Sequence, residues 1–205
     1  MSKQPLFITG IGTGIGKTII SAILVEKLKA DYWKPIQSGD LDNSDTLMVR
    51  GLVSNNTSVF HPEAYRLTQP YSPHKSAELD GITINPAKII LPETENQLII
   101  EGAGGLMVPL NDEFLMIDLI KQLGAQVILV SQNYLGSINH TLLSVELLKS
   151  RSIPVKGIVF NGETDIHSQK LILEYSKLSL LGNVSTVSTI NAETIQQLTN
   201  QLSIQ

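Results

Sequence analysis

The amino-acid sequence predicts an α/β fold, a mostly parallel sheet with helices on both faces in three layers. Short continuous apolar runs recur, as strands buried on both faces require: Leu6-Phe7-Ile8, Leu98-Ile99-Ile100 and Val127-Ile128-Leu129-Val130. Segments with helical spacing separate them, the alternation that builds parallel sheets with crossover helices. The first apolar run leads into Gly10-Ile11-Gly12-Thr13-Gly14-Ile15-Gly16-Lys17-Thr18, a glycine-rich loop that opens a helix.

Each element follows from local pattern. Leu6 to Thr9 is the first strand. The helix from Lys17 to about Lys29 carries Ile20, Ile23, Leu24 and Leu28 on one face and holds no glycine or proline. Tyr32-Trp33-Lys34 reads as a short second strand that Pro35 helps to end, followed by a polar loop to Gly39. Asn43-Ser44-Asp45 opens the next helix, with Leu47 and Met48 as its apolar side. Residues 54–96 are the least regular, punctuated by Pro62, Pro70, Pro73, Pro86 and Pro92. Tyr71 to His74 reads as a fixed loop, either a substrate wall or a surface excursion, and Ile82 to Ile90 as a short helix. A strand then ends in Glu101 and meets Gly102-Ala103-Gly104-Gly105. Phe114 to Leu123 is helical with Gly124 as its stop. After the strand Val127 to Val130 comes the helix Ile138 to Lys149, with Ile138, Leu142, Val145 and Leu148 on one face. Val155 to Phe160 is a strand ending at Asn161-Gly162. A helix near His167 to Ser176, an extended piece Gly182 to Val187 and a helix Ala192 to Leu202 complete the order.

Composition bounds the function. A chain of 205 residues suits one domain over 1–205, and 42% hydrophobic with 17% charged residues excludes a disordered or membrane class. No secretory signal is read at the N-terminus and no apolar run approaches a membrane span, so the expectation is a cytoplasmic protein without a membrane partner. The absence of cysteine excludes disulfides and thiolate chemistry. A net charge of −4 without a basic run argues against nucleic acid as partner.

The glycine-rich loop carries the chemistry. A strand, such a loop and then Gly-Lys-Thr opening a helix is the context of a phosphate-binding loop, so the fold is P-loop NTPase-like. Glycines let successive backbone N–H groups close on phosphate oxygens, and the helix N-terminus adds free donors. Lys17 supplies charge to the terminal phosphates, and the Thr18 hydroxyl is placed to ligate Mg2+. Five residues lie between Gly10 and Gly16, one more than usual, because Ile11 takes the place of the first glycine. In parallel sheets ligands sit beyond the carboxyl ends of the strands. That rule gathers Thr9, Lys34, Glu101, Ser131 and Asn161 on one edge. Glu101 follows a wholly apolar strand and faces a metal or caps a loop amide. Asp45 is either a site carboxylate or the N-terminal charge of its helix. Lys34 matters only by standing beside the phosphates, and Asn161 is a site residue or a turn before Gly162. His74 and His140 lack ligand spacing and read as local hydrogen bonders, and His61 and His167 carry no signal.

Taken together these stretches resemble the dethiobiotin synthetase family over nearly the whole chain. The resemblance rests on the extended Gly-Lys-Thr loop, Lys34-Pro35-x-x-Ser38-Gly39, Asn43-Ser44-Asp45, Ser72-Pro73-His74, Glu101 to Gly105, and Leu135-Gly136-Ser137-Ile138-Asn139-His140. It implies an ATP-dependent ligase. One amine of 7,8-diaminopelargonate captures CO2 (from bicarbonate) as a carbamate, whose oxygen attacks the γ-phosphate of ATP. The second amine then closes the ureido ring and releases phosphate. By resemblance Thr18, Asp45 and Glu101 hold Mg2+, and Lys17 and Lys34 neutralise the transferring phosphoryl group. Thr13, with Lys34 and Ser38, meets the diamine or carbamate. Gly14, Ile15, Gly16, Gly102, Ala103 and Gly104 belong to the nucleotide site, and Asn161 reads the adenine edge. The resemblance also implies a homodimer, with Leu135, Gly136, Ser137, Ile138 and Asn139 binding the substrate carboxylate of the neighbouring subunit.

The sequence departs from the family pattern in three places. Gly12 stands where an aspartate is common and Gly14 where a bulkier, often acidic residue is frequent, so the loop carries no carboxylate. Gly182-Asn183-Val184-Ser185 lacks the usual proline of the late nucleotide loop, which sets the expectation of weak discrimination among ATP, CTP and GTP. Rival readings are a P-loop switch of the partition or septum-positioning type and a nucleotide-binding paralogue without turnover. The switches usually carry a second lysine early in the loop, absent from Ile11 to Ile15, and the stretch Ala192 to Gln205 holds no lysine or arginine for DNA or membrane contact. An amidotransferase-type synthetase would need a glutaminase domain, for which this length leaves no room.

Overall fold

A computed structural model describes residues 3–204. Its centre is strand β1 (Leu6–Gly10), buried along its whole length. It lies in parallel between β6 (Leu98–Gly105) and β7 (Gln126–Gln132). Outward on one side come β2 (Asp31–Trp33) and β4 (Phe60–His61), and on the other β8 (Val155–Asn161) and β9 (Leu180–Val184). The sheet order is β4-β2-β6-β1-β7-β8-β9, with every pairing parallel.

Side chains alternate across this sheet and feed two separate cores. Leu6, Ile8, Ile99, Ile128, Val130 and Val159 face one side. There they meet helices α1 (Lys17–Leu28), α2 (Asp45–Leu52) and α7 (Ala192–Leu198). Phe7, Leu98, Ile100, Val127, Leu129, Ile158 and Phe160 face the other, against α4 (Met116–Gln122), α5 (Ser137–Ser150) and α6 (Ile166–Ser176). The three-layer α/β arrangement expected from the apolar runs is therefore present.

Several local expectations are corrected. The polar loop after Lys34 contains a short strand, β3 (Ile36–Ser38), which pairs in parallel with β5 (Tyr65–Leu67) as a second, two-stranded sheet. Gly39 ends it at φ 69°, where a Cβ would meet Pro70 at 2.7 Å, so only glycine fits. The fixed loop expected at Tyr71 to His74 is the start of a helix, α3 (Pro73–Leu79), with Pro73 in its first turn, where a missing N–H costs nothing. The helix expected over Ile82 to Ile90 shrinks to a 3-10 turn at Pro86–Lys88, since Pro86 and Pro92 bias their predecessors to extended backbone. In α2 the buried residues are Thr46, Val49 and Leu52, one stripe at i+3 spacing, while Leu47 and Met48 face solvent. The last strand begins at Leu180 rather than Gly182, and the final helix ends at Leu198 with a 3-10 turn beyond it. Phe114 and Leu115 precede α4 rather than belong to it; Leu115 bridges Pro109 instead.

The irregular stretch 54–96 is anchored. Leu67, Ala77, Ile84 and Ile89 are all buried in the core that holds Phe7 and Ile100. Burial of each leucine or isoleucine side chain contributes roughly 1.5–3 kcal/mol and fixes the wall they support. No helix among the described residues is long and apolar enough to cross a membrane.

Candidate active site

The site grows from the register of three strands and one helix. On β6, Ile99 points to the α1 side and Ile100 away, so Glu101 points back to the α1 side. Tyr32 pairs with Ile99 and Trp33 with Ile100, so the next residue, Lys34, comes level with Glu101. Helix α1 starts at Lys17 after Gly16, whose φ of 88° turns the chain into the helix. A Cβ on Gly16 would also lie 2.1 Å from Asn161 Nδ2 and displace that side chain. The Asn161 side chain donates to the Ile15 carbonyl at 2.9 Å, tying the end of β8 to the loop.

Four functional side chains converge. The Lys34 ammonium donates to Glu101 Oε1 at 3.1 Å and pairs with Asp45 Oδ2. The Thr18 hydroxyl stands 2.9 Å from Glu101 Oε1 and 3.1 Å from Asp45 Oδ1. Asp45 is held at the first turn of α2, whose N-terminus is capped by Ser44 through Leu47 N–H. Its own N–H donates to the Gln37 side chain at 3.3 Å, and that amide in turn donates to the Gly39 carbonyl at 3.0 Å. The Tyr32 hydroxyl donates to the other oxygen of Glu101, Oε2, at 2.9 Å in a buried setting.

Burial and charge oppose each other here. Burial lowers the Lys17 ammonium to about 8, against the pull of Glu101 and Asp45 and with a further push down from Lys34. Lys17 meanwhile donates to the Gly12 carbonyl at 2.9 Å across the loop. Burial also disfavours the Lys34 charge, but Glu101 and Asp45 outweigh it and hold the ammonium above its ordinary value. Burial and the nearby Glu101 carboxylate push the Tyr32 phenol well up, so it remains a donor.

All of these side chains but Tyr32 line a cleft of about 670 Å³. Thr13, Gly14, Gly16, Lys17, Thr18, Lys34, Ser38, Asp45, Glu101, Ala103 and Gly104 border it, as the sequence grouped them. Ser38 Oγ is buried without a partner. Pro70, Tyr71, Ser72 and Pro73 also border it, so the irregular stretch does reach the site. Other expected residues stand elsewhere. The Ile15 side chain is buried in the α1-side core. Gly102 lies behind the site, where a Cβ would meet the Phe7 ring at 2.6 Å, so its glycine answers to packing. Ser131 is locked to Thr141 at 2.9 Å and Thr9 is buried, neither at the cleft. Leu135 to Asn139 do not reach the cleft; Leu135 is fully exposed. His74 and His140 bond locally, to Ser72 Oγ at 3.1 Å and to the Tyr134 hydroxyl at 2.8 Å. Sequence reading missed Tyr32 and Gln37. The two-residue spacing of Tyr32 and Lys34 on one strand could have signalled the first; nothing local signals the second.

Comparisons with known proteins agree with this architecture. A family profile described as an AAA domain matches residues 4–194. The chain is 56% identical over 178 residues to the ATP-dependent dethiobiotin synthetase BioD of Christiangramia forsetii, covering 87% of this chain and 86% of that one. It is 52% identical over 190 residues to the protein of the same name from Cytophaga hutchinsonii, covering 92% of each. Among solved structures, the cell division ATPase MinD of Pyrococcus furiosus superposes with a TM-score of 0.58 at 12% identity, covering 97% of this chain and 98% of that one. A ParA family ATPase from Chlorobium tepidum gives 0.54 at 13%, with 98% and 91% covered. At such identities these two speak for the fold alone, whereas the synthetases match in sequence along nearly their whole length. By that match the chain belongs to the ATP-dependent dethiobiotin synthetase family.

Proposed function

We propose that this chain uses ATP to convert 7,8-diaminopelargonate and CO2 into dethiobiotin, releasing ADP and phosphate. The observation that carries the reading is the placement of Lys34 between Asp45 and Glu101, beside Thr18 and the phosphate loop. Two anions, a carbamate and a triphosphate, must be brought in line, and a buried cluster of fixed charges does that electrostatic work without reorganising. Lys17 and Lys34 neutralise the phosphoryl group as it passes to the carbamate oxygen, and Thr13 and Ser38 orient the carbamate end. The second amine then attacks the carbamoyl carbon, and phosphate leaves.

Thr18, Asp45 and Glu101 would hold Mg2+. Among the described residues no group of three or more Asp, Glu, His or Cys side chains forms a metal cluster. Two carboxylates and a hydroxyl nevertheless fit magnesium, which takes one or two carboxylates and completes its shell with phosphate oxygens and water. When bound, the ion supplies charge screening on the phosphates.

A homodimer is part of the reading. On the far side of the phosphate loop a groove of about 430 Å³ runs between Gly10 to Thr13, Gly105 to Val108 and helix α5. Met107 and Leu143 border it and are more than half exposed. A second copy would cover this apolar rim and bring its Leu135–Asn139 loop, at the N-terminus of α5, to the substrate carboxylate.

Mass spectrometry of a reaction with Mg-ATP, bicarbonate and the diamine tests the proposal. Dethiobiotin formed in step with ADP, and lost in Lys17→Ala, is the expected result. ADP release that ignores the diamine would move the chain to the nucleotide-switch reading.

A further inference from the structure

Tyr32 is fully buried, and its ring packs against Phe60 at 6.1 Å between centroids in the α1-side core. A phenylalanine would serve that packing equally well. The hydroxyl is a buried polar group that packing does not need, and its hydrogen bond goes to one atom, Glu101 Oε2, at 2.9 Å. Glu101 is itself buried, and its two oxygens are divided. Oε2 is turned inward to Tyr32, and Oε1 outward to Thr18 and Lys34. The division follows from strand geometry. Tyr32 and Lys34 are two apart on one chain path and so share a face, and both approach the same carboxylate from β2 and its extension.

We propose that Tyr32 is a positioning residue for the reaction: its hydroxyl clamps Glu101 Oε2, so that Oε1 is presented to the Thr18–Asp45 side, where the ion would sit. The inference rests on the reading of Glu101 as a magnesium-side carboxylate. Without the hydroxyl, Oε2 is a buried acceptor with no partner. The carboxylate then gains by rotating toward the remaining donors, Lys34 and Thr18, and its outward face is no longer set. Partners of this kind, one step behind the ligating group, are typically worth 10–100-fold in metal affinity or activity.

The test compares wild type with Tyr32→Phe by isothermal titration with a non-hydrolysable ATP analogue, in EDTA and across a Mg2+ series. The expected result is unchanged affinity in EDTA with about a tenfold rise in the Mg2+ concentration needed for tight binding. In a Glu101→Ala background the same substitution should add nothing. A role confined to packing, which phenylalanine also fills, would leave binding unchanged at every Mg2+ concentration, and that result overturns the inference, as does a weakening that is equal with and without Mg2+. If wild type itself shows no Mg2+ dependence, the underlying reading of Glu101 fails first and takes this one with it. A second measurement avoids removing the hydroxyl. With 3-fluorotyrosine at position 32 alone, the 19F resonance should move when Mg2+ joins the bound analogue; a resonance that stays fixed contradicts the clamp.

Discussion

At the phosphate end, Lys34, Glu101 and Tyr32 are buried and bonded to one another, with Thr18 and Asp45 closing the cluster. The loop 133–139 is also held in shape, by the Tyr134–His140 hydrogen bond and by Ser137 N–H to the Tyr134 carbonyl at 2.9 Å. Yet Tyr134, Leu135 and Asn139 face solvent. One region is finished by the chain's own strands. The other is held in shape but does not reach the cleft of its own chain. Rigidity without burial at the second region is what a surface awaiting another copy would have, and burial at the first is what fixed charge in a low dielectric needs.

This contrast can be broken at either end, and the largest effect belongs to the buried one. Lys34→Ala leaves Asp45 and Glu101 facing each other without their cation and removes charge from the transfer step. Turnover should fall by about a factor of 100 or more in a steady-state ADP assay. At the open end, Leu143→Glu puts a carboxylate on the exposed apolar rim. Sedimentation should show a dimer for wild type and a monomer for the variant, and diamine-dependent turnover should fall at least about tenfold, while analogue binding persists. A variant that still dimerises would place the interface elsewhere.

A stability effect comes next. Asp31 is buried and accepts from Thr94 Oγ1 at 2.6 Å, Val59 N–H at 2.8 Å and Asn96 Nδ2 at 3.0 Å. Burial opposes its charge, but these bonds outweigh it and hold the carboxyl below its ordinary value. Its contribution is therefore full above the unfolded value, about pH 4, and is lost as pH falls through the lower folded value. Asp31→Asn should cost about 1.5–3 kcal/mol at pH 7, read by urea melts, and the gap to wild type should narrow at acid pH. A gap that widens on acidification would reverse the sign. The smallest effect is at Gly12. A Cβ there meets nothing within 4 Å, so Gly12→Asp should fold as wild type and change turnover by only a few fold. Gly14 differs, because its φ of 75° strains any side chain.

What the sequence revealed divides along the same line. Lys17, Thr18 and Glu101 were legible because a phosphate loop and the end of an apolar strand are local patterns. The parallel character of the sheet was legible because apolar strand runs alternate with helical segments. Asp45 stayed open, since a helix-capping carboxylate and a site carboxylate look alike until β6 is beside them. Tyr32 escaped because its partner is 69 residues away and only the β2–β6 register joins them. The buried face of α2 is not legible in the sequence because eight residues make little more than two turns, too few to weigh Leu47 and Met48 against Val49 and Leu52. Ser72-Pro73 reads as a loop within a proline-punctuated stretch, although proline in a first turn is itself a helix signal.

The measurement that tests the central contrast most directly mixes two inactive variants after joint unfolding and refolding. Lys17→Ala disables the phosphate end, and Asn139→Asp sets a negative charge where the neighbouring subunit's substrate carboxylate is proposed to bind. If the buried end acts within one chain and the exposed loop acts on the other, half of the sites in each mixed dimer regain both wild-type parts. An equal mixture should then recover about a quarter of wild-type dethiobiotin formation. A mixture as inactive as its two components would contradict the division of the site between two chains.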